Sequence, residues 1–487
     1  MYGGLTWGAN YLFASSAYAS TDFAKQSLRR FRPQNMTADS ALYGSLTLLI
    51  AQSRQLERST PLGRAFVDAL ASELVGSGIG ISPNTGDGDR DELLRAEFNR
   101  WSEHAMLDGS SLWAWQSACA RELGTAGAAL ARILVRPERS AKGWLPLCIM
   151  PLEVEWLSIQ PVTQPPEGHA YFRGIELDQF GLPVFYHLRH PYSMSGGERV
   201  AASEIIHIFE KRRPQQTHGE PMMAPVIERI LQDARIVEAE LQAALATSAP
   251  VGSITTEGAA LPGDGDDSDT DDPQIDFQAG SVARLIPGEK IEWHDNKRVT
   301  EDLHPFRAEI RGDVAAAGRF SAWWLDRDPS RANYSSMRMD QLLSKRGTVS
   351  LKELLGTGCA GRPYEAALEW ICLRNGIELT PEIMDYNLRP DQPEYVDPYK
   401  DVLASTMAIA AGLSTFEIEM SSRGKDFAQV VERLAVEKAK FDELGLAWPS
   451  MPKAKPELLP ADGGEAGPEG ADGAESMNVG GKKAGVA

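Results

Sequence analysis

The chain has 487 residues, with 49 lysines and arginines against 68 aspartates and glutamates, a net charge of −19. Its 43% hydrophobic and 24% charged content is that of a globular protein of roughly two to four folding units. A protein that grips nucleic acid by releasing phosphate counterions needs a basic surplus, so the balance excludes tight nucleic-acid binding by the chain as a whole and leaves only local basic patches.

Cys119, Cys148, Cys359 and Cys372 are scattered without a C-x-x-C pair, which excludes a disulfide framework or a zinc site and suits a reducing compartment. No apolar run approaches the roughly 20 residues needed to span a bilayer, so a soluble chain with no membrane partner is expected. The first 21 residues are uncharged and contain Ala17-Tyr18-Ala19. They lack a basic start, and Gly3, Gly4, Gly8 and Asn10 interrupt the apolar run, so residues 1–40 read as a mobile arm rather than a signal peptide.

Residues 41–75 carry apolar positions at helical spacing (Leu46, Leu49, Ile50, Leu56, then Phe66, Leu70, Leu74), ended by Val75-Gly76-Ser77-Gly78-Ile79-Gly80. Further helices are expected around 90–106 and 110–123. From about 130 to 210 the period becomes two: Ile175 and Leu177, then Val184, Tyr186 and Leu188, flank Asp178-Gln179-Phe180-Gly181 as a β-hairpin. Ile205–Phe209 reads as another strand, making the first 210 residues a mixed α+β unit.

The clearest periodicity follows Pro221: Met223, Ile227, Ile230, Ala234, Val237, Leu241 and Ala244 are spaced 4-3-4-3-4-3. A helix over 221–246 would be about 39 Å long. It is either a long core helix or one packed beside its counterparts in an oligomer. A strand at 249–254 precedes an acidic loop, 262–273, with Asp264, Asp266, Asp267, Asp269, Asp271 and Asp272. Like-charge repulsion keeps such a tract unfolded, and its spacing does not fit a calcium loop. Two strands at 282–286 and 290–293 come next. A helix from 302 to 320 should turn Phe306, Ile310, Val314 and Ala317 inward. A polar loop, Leu325-Asp326-Arg327-Asp328-Pro329-Ser330-Arg331-Ala332-Asn333-Tyr334-Ser335-Ser336, leads to a helix reaching Leu355, with Gly347 as its kink. Asn333 or Ser335 is placed to cap that helix. Helices at 363–375 (ended by Gly376), 398–411 and 424–443 follow, and the Gly- and Pro-rich end from about 452 should be disordered.

There is no H-E-x-x-H, no G-x-S-x-G and no Walker A, and the eight histidines show no metal-ligand spacing. His187 and His190 near a strand end read as structural or surface residues. One literal G-x-G-x-x-G occurs at Gly356, Gly358 and Gly361, but it follows a helix rather than a strand, so these glycines should end one helix and turn into the next. No catalytic, cofactor or metal site is expected.

The order of short motifs resembles the lambda family of tailed-phage portal proteins over roughly residues 10–450. The resemblance rests on Ser53-Arg54-Gln55-Leu56, Val75-Gly76-Ser77-Gly78-Ile79 and Gly174-Ile175-Glu176-Leu177-Asp178 … Gly181 … Tyr186. It continues in Arg213-Pro214-Gln215 … Gly219 … Pro221, Leu285-Ile286-Pro287-Gly288-Glu289, Asn333-Tyr334-Ser335-Ser336 and Val396-Asp397-Pro398-Tyr399-Lys400. It implies an α+β portal fold: a mixed wing domain (41–219), long paired stem helices (220–246 and 301–320), a small α/β clip (247–300) and a helical crown. A tunnel loop (321–336) and a kinked helix with wing and crown helices (337–450) complete it before the tail, 451–487. It also implies a homododecameric ring at one capsid vertex in the virion, built in the host cytoplasm. Its implied partners are the major capsid protein, the terminase large subunit, a head–tail adaptor and double-stranded DNA in the channel. The implied channel residues are Asp326, Arg327, Asp328, Arg331, Asn333 and Tyr334. Those packing subunits in the stem are Met223, Ile227, Ile230, Val237, Leu241, Phe306, Ile310 and Val314. The chain departs from the family where Ser321-Ala322-Trp323-Trp324 stands in place of Gly-x-Pro. Two other readings are a nucleotide-dependent head-assembly enzyme, resting on the three glycines, and a minor capsid or adaptor protein.

Overall fold

All but the second of the first five helices start on a side-chain cap that the sequence supplies. In the computed structural model, which describes residues 35–189, 196–248, 252–256, 289–293, 303–326, 333–391, 398–421, 423, 425 and 427–447, α1 (Ala38–Tyr43) starts on the Thr37 hydroxyl. Its first half lies inside the segment, 1–40, expected to be a mobile arm; residues 1–34 fall outside the described ones. α2 (Leu46–Ser59) leads through Thr60, whose hydroxyl accepts from the Gly63 amide, into α3 (Pro61–Leu74). The glycine run after α3 ends it as expected, with Gly76 and Gly78 at positive φ, and feeds β1 (Gly80–Pro83). α4 (Gly88–Ser102) and α5 (Leu112–Thr125) are capped by Asp87 and Ser111.

The period-two region forms two antiparallel sheets. β2 (Ala128–Val135) lies between β3 (Leu147–Leu152) and β8 (Ile205–Phe209). β4 (Ala170–Phe172), β5 (Ile175–Leu177), β6 (Pro183–Leu188) and β7 (Glu198–Ala201) make a meander in chain order. The hairpin between β5 and β6 turns at Gly181 (φ 80°), and the Asp178 carboxylate accepts from the Phe180 and Leu182 amides.

Beyond the sheets come α6 (Ile227–Ser248), the antiparallel pair β9 (Gly252–Thr256) and β10 (Glu289–Trp293), α7 (Leu303–Gly318) and the single turn α8 (Trp323–Asp326). α9 (Tyr334–Leu355) continues through a π-helical turn, Gly356–Gly361, into α10 (Arg362–Asn375), which ends at Gly376 in the left-handed region. β11 (Tyr386–Arg389) pairs antiparallel with β1. α11 (Pro398–Ala410) and α12 (Phe416–Ser421) follow. All of this belongs to one unit, residues 1–427; a second, 428–487, contains nearly all of α13 (Phe427–Glu443), an amphipathic helix with an Arg433–Glu437 pair. The acidic loop 262–273, the strand expected at 282–286, His190 and the tail 451–487 lie outside the described residues.

Two of the expected boundaries move. The long helix starts at Ile227, not at Pro221, because residues 224–226 form a tighter turn led by Pro225. α9 runs unbroken through Gly347, and the departure from α-geometry comes later, at Gly356–Gly361.

The larger core joins α2 through α5, the β3-β2-β8 sheet, the first turn of α6, the last turns of α7 and α9, the π-turn and α10; the smaller one lies under the meander. Charged groups buried at these seams are answered. Glu176 on β5 accepts from Arg199 (2.8 Å to each oxygen) and meets His187 and His169, and Arg199 above all holds its pKa down to about 2. Arg54 on α2 reaches Glu122, Glu155 and Glu153 at 3.0, 3.0 and 3.3 Å, yet burial pushes Glu122 up to about 7. Gly219 has a packing reason: a Cβ there would collide with the Gly127 carbonyl, so the chain entering the long helix lies directly on the α5–β2 corner.

His218 is buried and His207 on β8 half-buried among Tyr186, Phe209 and Phe172. Burial pushes their pKa values down to about 3 and about 4. Both folded values lie below the unfolded one, so stability is fully present above about pH 6.5. It is lost as the pH falls, because only the unfolded chain takes up the protons. His207→Phe should remove one such share. Between about pH 6.5 and 4 the wild type should lose roughly 3 kcal/mol more than the variant in urea unfolding; a difference that does not change with pH would contradict this.

Candidate functional site

The site the sequence singles out is the long helix pair and the connection after it. α6 and α7 pack against each other, and their bases dock on α2 and α3. The reason is the apolar stripe, which begins buried and ends in solvent. Ile230 is 1% exposed and Ile310 3%, whereas Leu241 is 59% and Phe306 50%.

The expected subunit-packing set therefore divides. Met223, Ile227, Ile230, Ile310 and Val314 are buried in the chain's own core, so a neighbouring copy cannot touch them. Val237, Leu241 and Phe306 stand in solvent beside Leu231 and Leu245. Phe306, expected to turn inward, lies near the free end of the pair, beyond the reach of that core.

Where the stripe leaves the core, charge takes over. The Arg307 guanidinium donates to both oxygens of Asp233, Nε to Oδ1 at 2.8 Å and Nη2 to Oδ2 at 3.1 Å. Asp233 is buried, and its hydrogen bond raises the pKa of Arg307. Arg229 and Asp313 add a second, exposed pair across the same two helices at 3.4 Å. One turn beyond Arg307, Arg311 pairs with Asp326 at the end of α8. The sequence does carry a trace of this lock: Arg307 and Arg311 are four residues apart on one helix face. Their acids are distant in the chain and were not expected.

The connection is shorter than the loop expected over 321–336. Trp323–Asp326 is helical and packs on α3 and α7, so Asp326 is held by Arg311 rather than free in a loop. Arg327, Asp328 and Arg331 lie outside the described residues. Asn333 caps α9: its side chain accepts from the Ser336 amide at 2.7 Å while the Ser336 hydroxyl meets the Asn333 backbone. Tyr334 is the first residue of that helix. Ser321 hydrogen-bonds the Asp340 carboxylate, and Glu73 on α3 faces Lys352 on α9 at 3.9 Å. Burial pushes the Glu73 carboxyl up and the Lys352 amine down.

Gly356, Gly358 and Gly361 do not turn the chain, as expected, but continue it with helical angles as the π-turn. A Cβ on Gly358 would meet Ile208 Cγ1 at 2.5 Å, and those on Gly356 and Gly361 would meet Leu388 and Tyr386. The glycines let a helix press between β8 and β11, which accounts for their spacing without a phosphate. Among the described residues, no group of three or more His, Cys, Asp or Glu could hold a metal ion. No described helix is long and apolar enough to cross a membrane.

The profile of the family described as phage portal protein, lambda family, matches residues 24–350. A curated relative, a probable portal protein of Halomonas phage phiHAP-1, is 23% identical over 443 residues, covering 85% of this chain and 84% of its own. Among solved structures, a chain from the neck of an empty GTA particle aligns with a TM-score of 0.47 at 16% identity, covering 83% of this chain and 94% of its own. An HK97 family phage portal protein from Corynebacterium diphtheriae aligns at 0.33 and 13%, covering 73% and 97%.

Two substitutions test the geometry. Arg307→Met should strand the buried Asp233 carboxylate at a cost of roughly 3–5 kcal/mol, and adding Asp233→Leu should recover most of it; chemical unfolding of the three proteins decides. Gly358→Ala should lower the melting temperature and Ile208→Ala should partly restore it, with ATP shifting neither.

Proposed function

The chain belongs to the lambda family of phage portal proteins, and on that premise we propose how its parts divide a portal's work. A portal protein is a structural component of the phage capsid, a homo-oligomeric ring at one vertex through which the genome passes. The α6–α7 pair is the stem. Its outer half, with Val237, Leu241 and Phe306, packs against the same pair of the next copy in a homododecamer. The observation that carries this is the division of the stripe: a monomer gains nothing by extending an apolar face past its own core, whereas a ring covers it.

The remaining roles follow. The mixed unit at 41–219 is the wing and meets the major capsid protein. The β9–β10 pair, with the acidic tract 262–273 between its strands, is the clip that docks the terminase large subunit and later the head–tail adaptor. The connection centred on 327–332 faces DNA, where Arg327 and Arg331 touch phosphates and neighbouring acids limit the hold. A net charge of −19 keeps counterion-release binding weak, which suits a wall past which a polyanion must slide. Assembly takes place in the host cytoplasm before the ring enters the virion. The enzyme reading loses its only support, because the three glycines have a packing role. The adaptor reading fits the long helix pair poorly.

Electron microscopy and native mass measurement of the full chain should find closed rings; a stable monomer or dimer under all assembly conditions would falsify the portal reading. Val237→Asp combined with Leu241→Asp should give a folded monomer with an unchanged circular dichroism spectrum and no rings. Normal rings from that variant would move the subunit contact elsewhere.

A further inference from the structure

On this acidic chain, one cleft holds more cations than anions. It lies between α4, α10 and the connection from β2 to β3. Its most buried charged group is Arg139, only 8% exposed. The two terminal nitrogens donate to main-chain carbonyls, Nη1 to Met106 at 3.0 Å and Nη2 to His104, and Nε has no partner. Its guanidinium lies 5.0 Å from the ring centre of Trp144, whose other neighbours are Lys142 Nζ at 4.8 Å and the stacked His104 ring at 4.5 Å. Among the described residues, no carboxylate forms an ion pair with Arg139. Carbonyls and an indole face supply only dipoles, and a guanidinium removed from water is costly without a counter-charge.

The surroundings deepen the deficit. Arg100 and Arg374 share the single carboxylate of Glu97, at 2.9 and 3.6 Å. Arg136 has Glu138 at 2.5 Å, and the Asp108 carboxylate is engaged by Ser110. Five cations (Arg100, Arg136, Arg139, Lys142, Arg374) thus stand against three acids (Glu97, Glu138, Asp108), an excess of two. Two hollows share Arg139 and Trp144 as walls. One, of about 20 Å³ beside Glu97, has room for a water or a single oxygen; the other, of about 210 Å³, is lined by Arg136 and Lys142. A water in the small hollow leaves the charge excess untouched.

We infer that this cleft binds a phosphate-type oxyanion, free or in a nucleic-acid backbone, with Arg139 as the buried anchor and Arg136 and Lys142 as the rim. The larger hollow takes the tetrahedral group, and the rim supplies charge-assisted donors. The site is independent of ring formation and of the channel connection.

The test uses the full chain and two probes. Inorganic phosphate is titrated and followed by ³¹P line broadening, and a short fluorescent DNA duplex is followed by anisotropy. Wild type should bind at least one probe saturably, and Arg136→Gln with Lys142→Gln should weaken that binding at least about tenfold. Arg58→Gln with Arg64→Gln, an equal charge change on α2 and α3, should leave it intact. Loss of phosphate binding alone identifies a free anion, and loss of duplex binding identifies backbone phosphate. Equal behaviour of wild type and cleft variant toward both probes, or equal loss in the Arg58/Arg64 control, overturns the inference. Thermal melting of all three proteins guards against misfolding.

Discussion

Among the described residues, the one buried ion pair between the two long helices is the fork of Arg307 closed on Asp233. Below it, Ile230 and Val314 join the larger core and Ile310 is buried; above it, apolar side chains face water. α6 is about 33 Å long at about 1.5 Å per residue, and its base alone has a hydrophobic anchor. A bidentate ion pair fixes the register of the two helices as an apolar contact cannot, since greasy surfaces slide over one another. With the register fixed, the far ends meet in the β9–β10 pair, and Arg311, one turn beyond, pins α8 to the same helix.

The surface that results is poorly suited to a solitary protein. Leu241 and Leu245 on α6, Met339 and Leu343 on α9 and Tyr399 on α11 are all exposed. Large apolar side chains in such numbers are tolerated when copies of the chain cover one another. Acidity balances this, because like charge keeps subunits apart until their faces meet in the right orientation. The cationic cleft around Arg139 is an exception within that field, and a buried, half-satisfied guanidinium at its floor gives it definition.

Much of this was legible in the amino-acid sequence, for identifiable reasons. Helices with strong periodicity and cap residues, such as α3, α5, α7 and α10, lie within a few residues of their expected ends, and Gly181 and Gly376 take the left-handed angles expected of them. The β5–β6 hairpin is local and was readable. Long-range pairings were not: nothing near Gly80 announces Tyr386–Arg389 as its partner, and Asp233 gives no sign of Arg307. The stripe from Met223 to Leu241 was visible as one face, but periodicity cannot tell which of its residues meet the chain's own core. The spacing of Gly356, Gly358 and Gly361 resembled a nucleotide motif because close packing and phosphate binding both demand an absent side chain.

The pairing of β1 with β11 has a consequence in time. Residues 80–83 wait for residues 386–389, in a chain of 487, before their edge is closed. On a ribosome, the body cannot be completed until most of the polypeptide has emerged, and the long helix pair is made well before that closure. The pairing thus sets one edge of the body late in synthesis, after all the elements between its two strands have left the ribosome.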